Sequence, residues 1–254
     1  MEKLLGLPVL ASEAGQKTDD LIVYIHWLMF GLFVGWLIFF VYTLWKYNAK
    51  RNPKADYQGV KSHASSYLEV LVAAIEVVLL VVVAVPIWAR HVDQFPKESD
   101  ATVIQVMAQQ FAWNVRYGGK DGVLGRQDVK YVSNTNLFGV DPADDNGKDD
   151  VQLLNEIHVP VNKPVIAYIS SKDVIHSFKL TAMRLTQDAI PGMRIPVHFL
   201  PTKTGTYQIY CAQLCGNGHA AMAGGRLVVE SPEAYTAWIT KKSQSAAGAT
   251  QSFE

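Results

Sequence analysis

The chain has 254 residues, enough for one or two domains. Its 23 Lys and Arg balance 23 Asp and Glu, so it lacks the basic excess with which a nucleic-acid binder neutralises phosphates. With 49% hydrophobic residues and a mean hydropathy of +0.08, it reads as a few membrane spans joined to a soluble domain. Two cysteines, at 211 and 215, provide no disulfide scaffold.

Residues 1–20 read as an N-terminal tail. Residues 4–10 (LLGLPVL) followed by Ala11-Ser12-Glu13-Ala14 faintly resemble a short signal segment with a cleavable end. An ordered or frayed N-terminal tail fits at least as well, and both readings stay open. Residues 21–90 read as a two-span hairpin. Leu21–Trp45 carries no formal charge over 25 residues, which at about 1.5 Å per residue crosses a hydrocarbon core of about 30 Å. Tyr24, Trp27, Tyr42, Trp45 and Tyr47 supply interfacial aromatics.

The second span, Leu68–Ala89, contains Glu69 at its edge and Glu76 two turns further in, with Pro86 near its far end. An acid at that depth must face protein or water rather than lipid. Lys46, Lys50, Arg51, Lys54 and Lys61 lie between the spans against one acid, Asp56. Basic loops stay cytoplasmic, so both termini and everything beyond Arg90 are expected on the outer, periplasmic face of a bacterial-type inner membrane.

Residues 91–230 change to short β-rich pieces bounded by Gly, Pro, Asn and Asp: 102–107, 111–117, 151–159, 164–170, 176–180, 197–201, 205–210 and 226–229. These predict an all-β sandwich or barrel. Residues 118–150 are expected to form a surface excursion. Its acids, Asp141, Asp144, Asp145, Asp149 and Asp150, depart from the spacing of an EF-hand and read as a solvated loop able to attract a basic partner. Over 231–254, Ser231-Pro232-Glu233 opens a short helix, AYTAWITKK, and the remaining tail is expected to be flexible.

The chemistry concentrates in Cys211-x3-Cys215-x3-His219-x2-Met222, a glycine-rich loop after a strand. Two thiolates, an imidazole and a thioether form a soft ligand set suited to copper. Structural zinc has no use for Met222, c-type haem needs C-x-x-C-H, and a mononuclear blue-copper site uses a single cysteine. Two cysteines suggest sulfurs that bridge two ions. A second histidine must then come from His158, His176 or His198, since His26 and His63 lie on the membrane or cytoplasmic side and His91 at its edge. His176, just past a strand end, is favoured.

Residues 173–178 (DVIHSF), residues 188–192 (DAIPG) and the cysteine loop, in this order after two spans, resemble subunit II of cytochrome c oxidase. The resemblance covers nearly the whole chain. It implies a cupredoxin-like Greek-key barrel holding a binuclear copper A centre. The implied ligands are His176, Cys211, Cys215, His219, Met222 and the carbonyl of Gln213. It further implies electron entry from cytochrome c, or a haem c-containing donor, through Phe111 and Trp113, and docking near Asp173.

Electrons would pass to haem a of subunit I, among other oxidase subunits, where oxygen is reduced to water and protons are pumped. Glu69 would match a carboxylate at the mouth of a proton pathway, and Glu76 inherits no role. The family usually has Glu between the cysteines; Gln213 keeps the carbonyl but removes the carboxylate that helps bind magnesium beside subunit I, which puts that magnesium in doubt. Phe111 likewise stands for the usual Trp. The competing reading is a membrane-anchored copper carrier or electron-transfer module acting outside an oxidase. A quinol-oxidase relative would lack the copper ligands, and a nitrous-oxide reductase would need a further domain for which there is no room.

Overall fold

The computed structural model describes residues 2–54, 57–59 and 61–251; Asp56, the acid of the basic loop, and the last three residues of the expected tail lie outside them. The chain separates into two compact units. One carries the long apolar helices; the other comprises everything from His91 onward together with residues 8–16.

In the first unit, a short helix α1 (Glu2–Leu5) precedes α2 (Gly15–Lys46). The helix α2 starts six residues before the uncharged run, because Gly15–Asp20 can form polar helical turns that need no lipid. Beyond its end, the Asn48 side chain donates to the Trp45 carbonyl at 2.7 Å and accepts from the Lys50 and Arg51 N–H groups. The second long helix consists of α3 (Ala64–Val78), a π-helical segment (Leu79–Ala84) and α4 (Val85–Val92). The π segment widens the helix just before Pro86, whose ring would otherwise press on the carbonyl one turn earlier. Both helices are long and apolar enough to cross a membrane, and their side chains, such as Phe33 and Ile38, are exposed rather than packed.

The second unit holds eleven strands: β1 (Thr102–Gln109), β2 (Ala112–Tyr117), β3 (Val151–Leu154), β4 (Glu156–Pro160), β5 (Val165–Ser171), β6 (His176–Leu180), β7 (Leu185–Ala189), β8 (Ile195–Phe199), β9 (Gly205–Gln208), β10 (Tyr210–Cys211) and β11 (Arg226–Glu230). They form sheets ordered β3-β2-β1-β5-β8, β4-β11-β9 and β10-β6-β7. Most neighbours are antiparallel, but β1 runs parallel to β5, and β4 to β11.

Alternating residues fill one core, including Ile104, Trp113, Val115, Ile157, Ile169, Phe178, Ile209 and Leu227. The expected strand 151–159 is two strands, divided at Asn155, whose φ of 59° breaks the extended run. Its side-chain oxygen accepts from the Trp113 N–H at 2.8 Å. The strand β7 was not anticipated; Leu-Thr-Gln-Asp-Ala has weak alternation and is specified by its pairing with β6.

Of the ordered and the frayed tail, residues 8–16 show the ordered one: Ala11 is fully buried, its N–H donates to the Ala182 carbonyl, and its carbonyl accepts from the Thr202 N–H, both at 2.8 Å. Ser12 donates its hydroxyl to the Met183 carbonyl, and Glu13 its N–H to the Leu200 carbonyl. Arg184, held at a φ of 55°, donates to the carbonyls of Pro8, Val9 and Thr181. At the other end, α5 (Pro232–Gln251) continues well past the predicted lysines. It docks through Trp238, stacked on His158 at 4.2 Å, and through buried Ile239 and Ser243. Tertiary packing supports the helix as far as Ser243.

The 118–150 excursion is anchored rather than simply solvated. Arg116, fully buried on β2, donates to Asp150, to Gln105 at 3.0 Å and to the Gly125 carbonyl at 2.7 Å. Burial pushes Asp150 up to about 6, against the opposing pull of Arg116. Replacing one partner strands the other in an apolar site. Arg116→Leu should therefore cost about 3–5 kcal/mol, read as a lowered thermal midpoint of the solubilised full chain. Adding Asp150→Leu should recover most of it; a double variant as unstable as the single one would refute this account of the pair.

Candidate metal centre

The centre is assembled by one short pairing. The strand β10 lies antiparallel to β6, with Cys211 opposite Phe178 and Tyr210 opposite Lys179. The Ala212 N–H then donates to the Ser177 carbonyl at 2.9 Å. This places Cys211 beside the start of β6, where His176 is fully buried. The glycine-rich loop turns back through Cys215, and a 3-10 turn (His219–Gly224) returns His219 and Met222 to the same point.

The donor atoms converge. Cys211 Sγ lies 4.0 Å from Cys215 Sγ, 3.9 Å from His176 Nδ1 and 3.1 Å from the Gln213 carbonyl oxygen. Cys215 Sγ lies 3.4 Å from His219 Nδ1 and 3.4 Å from Met222 Sδ, which is 3.2 Å from His176 Nδ1. All six ligand positions read from the sequence are thus brought together. His158 and His198 are not: the first lies between Glu156 and Glu230 against Trp238, the second against Phe95.

Burial, followed by the neighbouring Cys211, pushes the Cys215 thiol up to about 11. Thiols that resist ionising by themselves must be deprotonated by the cation they bind. Two neighbouring thiols with two imidazoles, a thioether and a carbonyl against them fit soft, copper-type chemistry.

Groups around the donors fix their orientation. The Asp173 carboxylate is 2.9 Å from His176 Nε2, so Nδ1 is the nitrogen turned toward the sulfurs. Asp173 also accepts the N–H groups of Gln110 and Val174, each at 2.7 Å. Burial raises Asp173, but these bonds and the one from His176 outweigh it and hold the carboxyl below its usual range. Asp173 is expected from the sequence as a docking contact and is exposed; its three-residue spacing from His176 is the clue to this further, orienting role. Trp113, fully buried, donates from Nε1 to the Met222 carbonyl at 3.1 Å and meets His176 edge-on.

Gln110, unremarked in the sequence, donates from its side chain to the Cys215 carbonyl at 2.7 Å. The half-buried Phe111 ring packs against the loop glycines so closely that a Cβ on Gly218 would overlap its edge. Of the acids proposed to steer a partner, Asp141 and Asp144 face Arg126, and Asp145 pairs with Lys148. Glu69 and Glu76 lie exposed on α3.

Gly218→Ala must therefore push Phe111 off the loop or the loop off the barrel. The expected cost is about 1–3 kcal/mol, together with lower copper content per chain. Undiminished copper and an unchanged melting temperature would mean that the loop tolerates the methyl group.

Residues 102–231 match the family described as cytochrome c oxidase subunit II, periplasmic domain. The chain is 32% identical to an alternative cytochrome c oxidase subunit 2 of Bradyrhizobium diazoefficiens over 225 residues, covering 88% of this chain and 79% of that one. It is 31% identical to a probable cytochrome c oxidase subunit 2 of Rickettsia bellii over 242 residues, covering 93% and 82%. Among solved structures, the periplasmic domain of subunit II of cytochrome oxidase from Bradyrhizobium japonicum aligns at 29% identity. It has a TM-score of 0.44 over 60% of this chain and 99% of that domain.

Proposed function

This chain belongs to the cytochrome c oxidase subunit II family, and on that premise we propose that it is the electron-entry subunit of a haem-copper terminal oxidase. The observation that carries the reading is the convergence of two histidines, Met222 and the Gln213 carbonyl on a pair of cysteines, each donor lying within 4.0 Å of one of the two sulfurs. When bound there, a binuclear copper A centre supplies one-electron exchange between a cytochrome c, or haem c-containing, donor and haem a of subunit I. Oxygen reduction to water and proton pumping belong to the larger complex.

This chain's own residues hold and shield the exchange. Cys211 and Cys215, with sulfurs 4.0 Å apart, would hold the copper group between them, and the electron-sharing chemistry it would supply asks little movement of these residues. Asp173 fixes the His176 ring, and Trp113 fixes the Met222 backbone, which limits motion further. Above the donors, Val174, Ile175 and Leu214 form an exposed apolar rim, with Leu214 four-fifths exposed. That rim suits the contact patch of a donor protein, and Phe111 with Trp113 lies between surface and centre. Gln213 offers only its carbonyl, so no carboxylate of this loop supports a magnesium ion toward subunit I.

Residues 8–16 are hydrogen-bonded into the β-unit, so the chain must return to the side from which it entered. Two spans satisfy that parity. The basic loop between them points to the cytoplasm, which leaves the β-unit on the periplasmic face. A membrane-anchored copper carrier acting outside an oxidase would share the donor set but would have no use for acids within a span, such as Glu76.

The deciding experiment is electron paramagnetic resonance with copper quantification on the solubilised full chain, which keeps residues 8–16 in place. Two coppers sharing one unpaired electron are expected. Cys215→Ser should abolish that pattern, and one copper or zinc per wild-type chain would return the reading to a carrier. Donor oxidation by the assembled enzyme should slow as ionic strength rises through the physiological range, because charge steering is screened within about 8–10 Å. With Asp141, Asp144 and Asp145 already paired, the slope should be shallow; rates independent of salt would remove the steering role of the acids altogether.

A further inference from the structure

We propose that Glu76 is an intramembrane docking point, at which this chain hydrogen-bonds a donor side chain on a transmembrane helix of its partner subunit I. Glu76 stands eight residues inside the apolar stretch that begins at Leu68, about 12 Å along the helix at 1.5 Å per residue. A glutamate side chain cannot reach water from there, so the group needs a polar partner at that depth. None comes from this chain: Glu76 is exposed and its carboxylate makes no hydrogen bond or ion pair with a described residue. The facing candidate, α2, is uncharged from Leu21 to Trp45, and its His26 is turned back on the Ile22 carbonyl at 2.7 Å.

The surroundings of Glu76 suit a close helix–helix approach. Glu69, seven residues earlier, falls on the same face, and Ala73 lies on that face between the two acids. A methyl side chain there lets a neighbouring backbone come near. Directly beyond Glu76 the helix opens into the π segment, where the Val85 N–H reaches back to the Leu80 carbonyl. Pro86 then has no N–H to give the preceding turn. Backbone carbonyls are therefore also available for polar contact a turn or two beyond the acid. An exposed carboxylate, a small residue one turn before it and a widened backbone after it mark this stripe as an interface. The partner it fits is a helix with an Arg, Lys, Tyr, Ser, Thr or amide donor at mid-depth.

This inference rests on the oxidase reading, and the test separates the two. The measurement is recovery of subunit I with this chain from solubilised membranes in which it is the sole subunit II, with haem content and the copper resonance followed in parallel. Glu76→Leu should insert at least as well as the native chain. Its recovery of subunit I should nevertheless fall about fivefold, the scale of one interhelical hydrogen bond in a membrane. Glu76→Gln keeps an acceptor and should recover subunit I within about twofold of the native level.

Native recovery by Glu76→Leu overturns the docking role. Full assembly of both Glu76→Leu and Glu76→Gln with turnover lost also overturns it, and assigns the acid to proton conduction. If the native chain carries the copper resonance but recovers no haem protein, the oxidase reading fails, and this inference fails with it.

Discussion

A pairing of two residues carries the metal centre. Tyr210 and Cys211 against Lys179 and Phe178 is the whole of the strand contact between β10 and β6, yet it joins donors 35 residues apart in the chain. Everything else near the centre secures that contact. Trp113 holds the return turn by the Met222 carbonyl, Gln110 holds the loop by the Cys215 carbonyl, and Phe111 lies flat against the loop's glycines. Three residues around the start of β2, Gln110, Phe111 and Trp113, thus reach across to a loop about a hundred residues away in sequence. The ligands need the barrel for their positions more than for their shielding.

What could be read from the sequence follows how local each determinant is. The two spans and the cysteine loop are local patterns, one of apolar length and one of ligand spacing, and both were legible. His176 was legible only in combination with the motifs around it, since the ring is chosen by a strand pairing that spacing does not encode. Asp173 was seen as a docking contact, but its hydrogen bond to His176 was not, because that bond depends on three donors meeting at one carboxylate. The strand β7, the hold on residues 8–16 and the length of α5 were not legible. Each is specified by distant partners: β6 for the first, residues 181–202 for the second, and His158 with the barrel edge for the third.

A buried polar cluster of the β-unit illustrates a further limit. Arg116 and Asp150 appear in sequence as one more surface charge on a strand and one more acid in an acidic loop. Together they form the pin that draws the excursion onto the sheet. Composition correctly marked residues 118–150 as loop, but a loop can be polar because it faces water or because it must satisfy a buried guanidinium. Only the fold distinguishes these.

The hold of the barrel on residues 8–16 also bears on the order of biogenesis. Ser12 is bonded to a residue 171 positions later, so when the first helix enters the bilayer nothing yet exists for the segment before it to grip. The grip closes only after both helices have been threaded and the β-unit segments bearing Ala182 and Leu200 have folded. A molecule with one helix inserted the wrong way round would leave the two halves of that joint on opposite sides of the bilayer. Closure of the joint is therefore a late event that reports correct insertion, and the chain carries within itself the means to distinguish a finished topology from an unfinished one.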